Sequence, residues 1–119
     1  MGEPKMTHQM KLHATPFDMI ASGKKTVELR LYDEKRRSIV VGDEIVFTHS
    51  KDSARALRCR VIALHIFPSF EELYKALPLL KCGYTEQDIA TASPDDMELY
   101  YTKEQQKQNG VVGIEIELM

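Results

Sequence analysis

Residues Thr26 to Tyr32 alternate in character: Thr26, Glu28, Arg30 and Tyr32 are polar or amphipathic, while Val27, Leu29 and Leu31 are aliphatic. A period of two belongs to a strand with one buried face, so this segment cannot settle as a helix. The pattern predicts that the aliphatic residues enter the core and that Glu28 and Arg30 leave the same outward face, two residues apart. Lys25 has the wrong parity for that face. It is placed in the preceding turn, where Gly23 can take positive φ and bend the chain. A cation, an anion and a second cation then meet at the mouth of one strand, an arrangement suited to a planar polar ligand. Taken by spacing alone, a Glu and an Arg on an outward strand face are more often a solvated pair worth well under ~1 kcal/mol.

Other segments predict further elements. Met10 to His13 reads as a short first strand, and residues 1–7 as a frayed terminus. Thr15 and Pro16 suit the N-cap and first turn of a helix that buries Phe17, Ile20 and Ala21 and stops at Gly23. Asp33 to Ser38 reads as a charged loop, Glu44 to Thr48 as a strand, and His49 to Ala56 as a polar connection. Leu57 to Phe67 is a long strand with Leu57, Cys59, Val61 and Ala63 on one face. Beyond Arg60 its other face, Ile62, Leu64 and Ile66, also turns apolar, so something must cover it. Ser69 caps a helix through Leu77, and Thr85 to Ala92 suits a helical turn. Ser93, with Pro94, Asp95 and Asp96 behind it, starts a single helix to Gln108. Asn109 and Gly110 end it before a closing strand, residues 110–118.

A chain of 119 residues can bury a core without staples. With 43% hydrophobic and 29% charged residues it is expected to fold as one domain, residues 1–119. No apolar run approaches the ~20 residues that cross a bilayer, so no membrane partner is expected. The polar first ten residues lack an export signal, which predicts a cytoplasmic protein. Cys59 and Cys82 form no Cys-x-x-Cys pair and read as reduced, buried thiols; the alternative is a disulfide between them. The four histidines show no ligand spacing, and no metal or cofactor is expected. Residues 1–60 carry 12 Lys/Arg against 8 Asp/Glu, and residues 61–119 carry 4 against 10. This asymmetry predicts one polarised face and rules out a uniformly basic nucleic-acid coat. The elements together describe an α+β fold, a small and mainly antiparallel β-barrel with an early helix and a helical lid before the last strand. An OB-type or another small α+β fold satisfies the same pattern.

Gly23, Lys25, Glu28 and Arg30 match the order glycine, any residue, lysine, two residues, glutamate, any residue, arginine. This is the signature of the ASCH domain, which the chain resembles from about Met10 to Leu118. Val41 to Phe47 looks like that family's second strand, and residues 110–118 resemble its closing strand. The resemblance implies a PUA-like barrel and a cleft for RNA or a nucleotide-like ligand between barrel and lid, floored by Lys25, Glu28 and Arg30. Arg30 and Lys25 suit phosphate or a base carbonyl, and Glu28 an amine or ribose hydroxyl. Tyr100 and Tyr101 are candidates for base stacking, with lid packing as the plain reading of the inward one. Arg36, Arg37 and Arg58, with Lys35, Arg55 and Arg60, are candidates for a phosphate track; a basic loop is usually only solvated.

The resemblance also raises an enzymatic alternative. One ASCH branch hydrolyses an acetylated cytidine with a lysine, a threonine three residues on, and a downstream glutamate. Lys25 matches the lysine, but Glu28 occupies the threonine position, which removes the hydroxyl nucleophile. Glu28 as a base toward water would be a different mechanism. Some ASCH proteins have been proposed as ribonucleases, for which Lys25 and Thr102 are the residues to test. The remaining alternative is an adaptor that docks a protein partner through complementary charge.

Overall fold

Five strands form one curled sheet in a computed structural model that describes residues 5–119. They are β1 (Thr7–Leu12), β2 (Val27–Leu31), β3 (Glu44–His49), β4 (Asp52–Phe67) and β5 (Val111–Leu118). The order across the sheet is β1-β3-β4-β5-β2. β1 runs parallel to β3, and the other three pairings are antiparallel. Among the described residues, four α-helices complete the fold, α1 (Ala14–Ala21), α2 (Glu34–Arg37), α3 (Phe70–Ala76) and α4 (Lys103–Asn109), with three short 3-10 helices between α3 and α4. The architecture is the expected mixed α+β one, with the barrel realised as a half-barrel whose end strands are β1 and β2.

Two apolar clusters hold it. The first fills the concave side with Met10, Leu12, Ile45, Phe47, Cys59, Val61, Val112 and Ile114, under Phe17 and Ile20 of α1. The second joins Val27, Leu29 and Leu31 to Val111, to Phe70 and Leu73 of α3, and to Met97. The lid therefore packs on the aliphatic face of β2. Glu28 lies opposite Ile114 and Arg30 opposite Val112, so they share the side that Ile114 and Val112 give to the first cluster. The expectation that the lid covers the Glu28–Arg30 face is therefore incomplete: α3 and Met97 pack on the aliphatic face, while the segment from Cys82 to Tyr101 also borders the cavity over Glu28 and Arg30. Alternation separates two faces, but when both are covered it cannot say which one belongs to which layer.

Several boundaries differ from the sequence reading. β1 begins at Thr7, where its pairing with Glu44 starts, so the expected fraying does not reach that residue. The rest of that expectation falls partly on residues 1–4, outside the described residues. His13, not Thr15, is the N-cap of α1, which places Thr15 and Pro16 inside its first turn. The expected charged loop contains α2, because the Asp33 carboxylate caps it by accepting from Arg36 N. β4 starts at Asp52, five residues early, leaving Ser50 and Lys51 as the turn. Val61 pairs with Ile116 but Ala63 with Glu115, so Ile62 is an extra residue in the ladder. This bulge shifts the parity of β4, and Leu64 rather than Ala63 continues the concave face.

The expected helix from Ser93 to Gln108 is broken. Pro94–Leu99 is a 3-10 helix capped by Ser93, and α4 starts anew at Lys103. Tyr100 and Tyr101 stand at the break.

Candidate functional site

The turn between α1 and β2 is built around Gly23, whose φ of +81° admits no ordinary side chain without strain. The Lys24 and Lys25 amides both donate to the Met19 carbonyl, which ties the turn to the end of α1. Lys25 is thereby placed before the strand, as its parity required. Its side chain is nonetheless buried, with 10% exposure, because the lid passes over it at Gly83. Gly83 stands beside the Lys25 side chain with a φ of +113°, a conformation that favours glycine; the space itself would admit a Cβ in ordinary contact with Lys25 Cδ.

Lys25 Nζ lies 2.7 Å from Glu28 Oε1, and Arg30 Nε donates to Glu28 Oε2 at 2.8 Å. Glu28 itself is only 4% exposed. Burial pushes its carboxyl up, but the charges and hydrogen bonds of Lys25 and Arg30 together outweigh burial and hold the pKa below the usual glutamate value. The group is an ionised, two-handed clamp on two cations. Arg30 also donates from Nη2 to the Lys11 carbonyl at 2.9 Å, which links β2 to β1 across the open seam of the half-barrel.

A cavity of about 430 Å³ opens along this seam. Lys25, Glu28 and Arg30 form its floor, the start of α1 gives one rim, and the segment from Cys82 to Tyr101 supplies the far wall. Within that wall Tyr84 donates to Asp96 Oδ2 at 2.6 Å and shares a 2.7 Å hydrogen bond with Tyr74. Burial raises the Tyr84 pKa, and the hydrogen bonds to Asp96 and Tyr74 raise it further. Tyr101 lies nearly parallel to Phe70, with ring centres 6.2 Å apart, and lines the cavity from that braced position. Tyr100 lines it from an exposed one. The Cys59 and Cys82 thiols are both free, and burial pushes each up to about 11, so neither is a ready nucleophile.

Of the sequence-predicted residues, Lys25, Glu28, Arg30, Tyr100 and Tyr101 come together at the cavity. The others do not line it. Arg36 pairs with Asp33, and Arg37 sits over the Tyr32 ring and donates to the Asn109 carbonyl. Arg58 holds Glu44 at 2.6 Å on the β3–β4 ladder. Thr102 is the N-cap of α4: its hydroxyl accepts from Gln105 N, while Gln105 Oε1 accepts from Thr102 N. Sequence reasoning missed Tyr74, Tyr84 and Asp96. Asp96 was visible only as a residue of a helix start, and nothing local sets the two tyrosines beside the Lys25 turn. Among the described residues, no group of three His, Cys, Asp or Glu is placed to hold a metal ion. No described helix is long and apolar enough to cross a membrane.

The ASCH domain profile matches residues 10–119. Comparison with curated proteins gave no match. Among solved structures, the hypothetical protein PH0355 is 33% identical with a TM-score of 0.79, and the match covers 96% of this chain and 100% of that one. PF0455 from Pyrococcus furiosus is 32% identical with a TM-score of 0.71, covering 96% and 98%. The ASCH protein from Zymomonas mobilis is 15% identical with a TM-score of 0.64, covering 96% and 68%, a likeness of fold alone. The signature residues meet at one cleft of a PUA-like half-barrel and the profile spans nearly all of the sequence: the chain belongs to the ASCH domain family.

Proposed function

We propose that the cleft binds RNA or a nucleotide-like ligand on the floor made by Lys25, Glu28 and Arg30. The observation that carries this reading is the pairing of both Glu28 oxygens, one by Lys25 and one by Arg30, at the base of a cavity walled by tyrosines. A carboxylate held in this way orients two donors toward a ligand's acceptors. It is poorly suited to take a proton from water, since its low pKa and its two cations both oppose protonation. The volume is that of a small-molecule site and accepts a nucleoside-sized group. Tyr100 and Tyr101 supply aromatic surface for an unpaired base.

The hydrolase alternative receives less support. Glu28 stands where the hydrolytic branch has its threonine, and the Thr102 hydroxyl is engaged in capping α4. The test is to mix the protein with short single-stranded RNA and with modified nucleosides, following binding and product mass together. Binding without product is expected, weakened in Arg30→Ala by about 1–3 kcal/mol. A new product that disappears in Lys25→Ala makes the protein an enzyme. No binding and no product favours the protein-docking alternative.

A further inference from the structure

We propose that the group entering the cleft is an uncharged, planar, hydrogen-bonding ring, a nucleobase either free or on its ribose, and that phosphate is kept out. This rests on the reading of the cleft as a nucleotide-type site. It concerns which part of such a ligand goes in.

Charge is the first argument. Lys11, Lys25 and Arg30 line the cavity, but so do Glu28, Asp88 and Asp96, so the formal charges cancel. The two floor cations are already engaged by Glu28, and Arg30 spends a further donor on the Lys11 carbonyl. Phosphate sites instead present surplus cations or convergent free backbone N–H groups. Along the far wall most backbone N–H groups of the lining residues are already used by carbonyls: Cys82 N and Tyr84 N donate to Leu79, Asp88 N to Thr85, Asp96 N to Ser93, and Tyr100 N and Tyr101 N to Met97. The Asp88 and Asp96 carboxylates on that wall would meet a phosphate with repulsion.

The remaining polar groups suit a base edge. Among the described residues, Glu28 is the one polar partner of the Lys25 ammonium, which leaves it N–H donors for a ring carbonyl. Asp96 accepts from Tyr84 and Ser93 N through Oδ2, while Oδ1 has no hydrogen-bond partner among the described residues. That oxygen is an acceptor for a ring N–H or exocyclic amine. A donor on the floor and an acceptor on the wall complement an edge that carries both a carbonyl and an N–H, and Tyr101 offers a ring already braced by Phe70.

Calorimetric titration of the wild type with the four common ribonucleosides and their 5′-monophosphates, at about 0.05 M and about 0.5 M salt, tests this. For the best base, the nucleoside is expected to bind at least as tightly as its monophosphate, with Kd moving less than about twofold between the two salts. Asp96→Asn keeps an acceptor for Tyr84 and removes a charge, and it should improve the monophosphate relative to the nucleoside by about threefold or more. A monophosphate that binds the wild type more tightly than its nucleoside, and loses that advantage in high salt, overturns the proposal while sustaining the cleft as a nucleotide site. Absence of binding by all eight compounds overturns the proposal, and the reading of the cleft falls with it where short single-stranded RNA is not bound either.

Discussion

Glu28 shows how burial changes the meaning of a residue. On an exposed strand a carboxylate between two cations would contribute a fraction of ~1 kcal/mol. Here Glu28, Lys25 and the Arg30 side chain are at most 15% exposed, so each ion depends on the others to offset lost hydration. Glu28→Gln is close to isosteric but leaves two buried cations without a counter-charge. It should cost about 3–5 kcal/mol, read by urea unfolding. A loss below about 1 kcal/mol would show that the three groups are effectively solvated. The identity and spacing of the triad were legible in the sequence. Its burial was not, because the atoms that exclude water from it belong to residues 52 to 76 positions away, Cys82, Gly83 and Tyr101 among them.

Helix ends and strand faces carry the next lessons. The segment from Ser93 to Asn109 contains two starts, Ser93-x-x-Asp96 and Thr102-x-x-Gln105, each forming a reciprocal capping box. The second box stops a continuous helix and sets Tyr100 and Tyr101 at the cleft. It was legible, but one continuous polar pattern hid it. Thr102→Ala should destabilise the protein by about 1 kcal/mol with Thr102→Ser restoring it, while ligand affinity at saturation of the folded form stays unchanged. A loss of activity or binding without loss of stability would return Thr102 to the site. On β5, Gly113 lies beneath the lid, where an added Cβ would come within 2.7 Å of Leu77 Cδ1 and 3.1 Å of Val27 Cγ1. Gly113→Ala is therefore an overpacking change, expected to lower stability by about 1–3 kcal/mol in thermal unfolding. The bulge at Ile62 was not legible: beyond Arg60 both faces of the strand are apolar, so no alternation marks the slip, and only the pairing with β5 reveals the extra residue.

At the scale of the molecule, acid should unfold the protein through its buried carboxylates. Asp43 resembles Glu28 in sign: burial raises its pKa, but hydrogen bonds from His8, Val40 N and Met6 N bring it below the usual aspartate value. A folded-state pKa that is depressed stabilises fully above the unfolded value, 4.5 for Glu28 and 3.8 for Asp43, and the gain is lost as pH falls through the folded values. Tm is expected to change little from these two groups above about pH 5 and to fall steeply toward about pH 2, with a shallower fall in Asp43→Asn. An equally steep fall in that variant would assign the acid response elsewhere. The charge asymmetry between the two halves of the chain was also legible, but its use was not. The basic residues Arg36 and Arg58 hold acidic partners on other faces, while Asp88 and Asp96 of the acidic half reach the cleft. By itself the sequence determined the strand at Val27–Leu31, the glycine turn before it, the helix caps at Ser69 and Ser93 and the family, because periodicity and capping act over a few residues of backbone. Only the tertiary structure decided which face of β2 meets the lid, that Arg30 spans the seam, and that Tyr84 and Asp96 wall the site. Those contacts depend on sheet order and curl, which bring together segments that no local pattern connects.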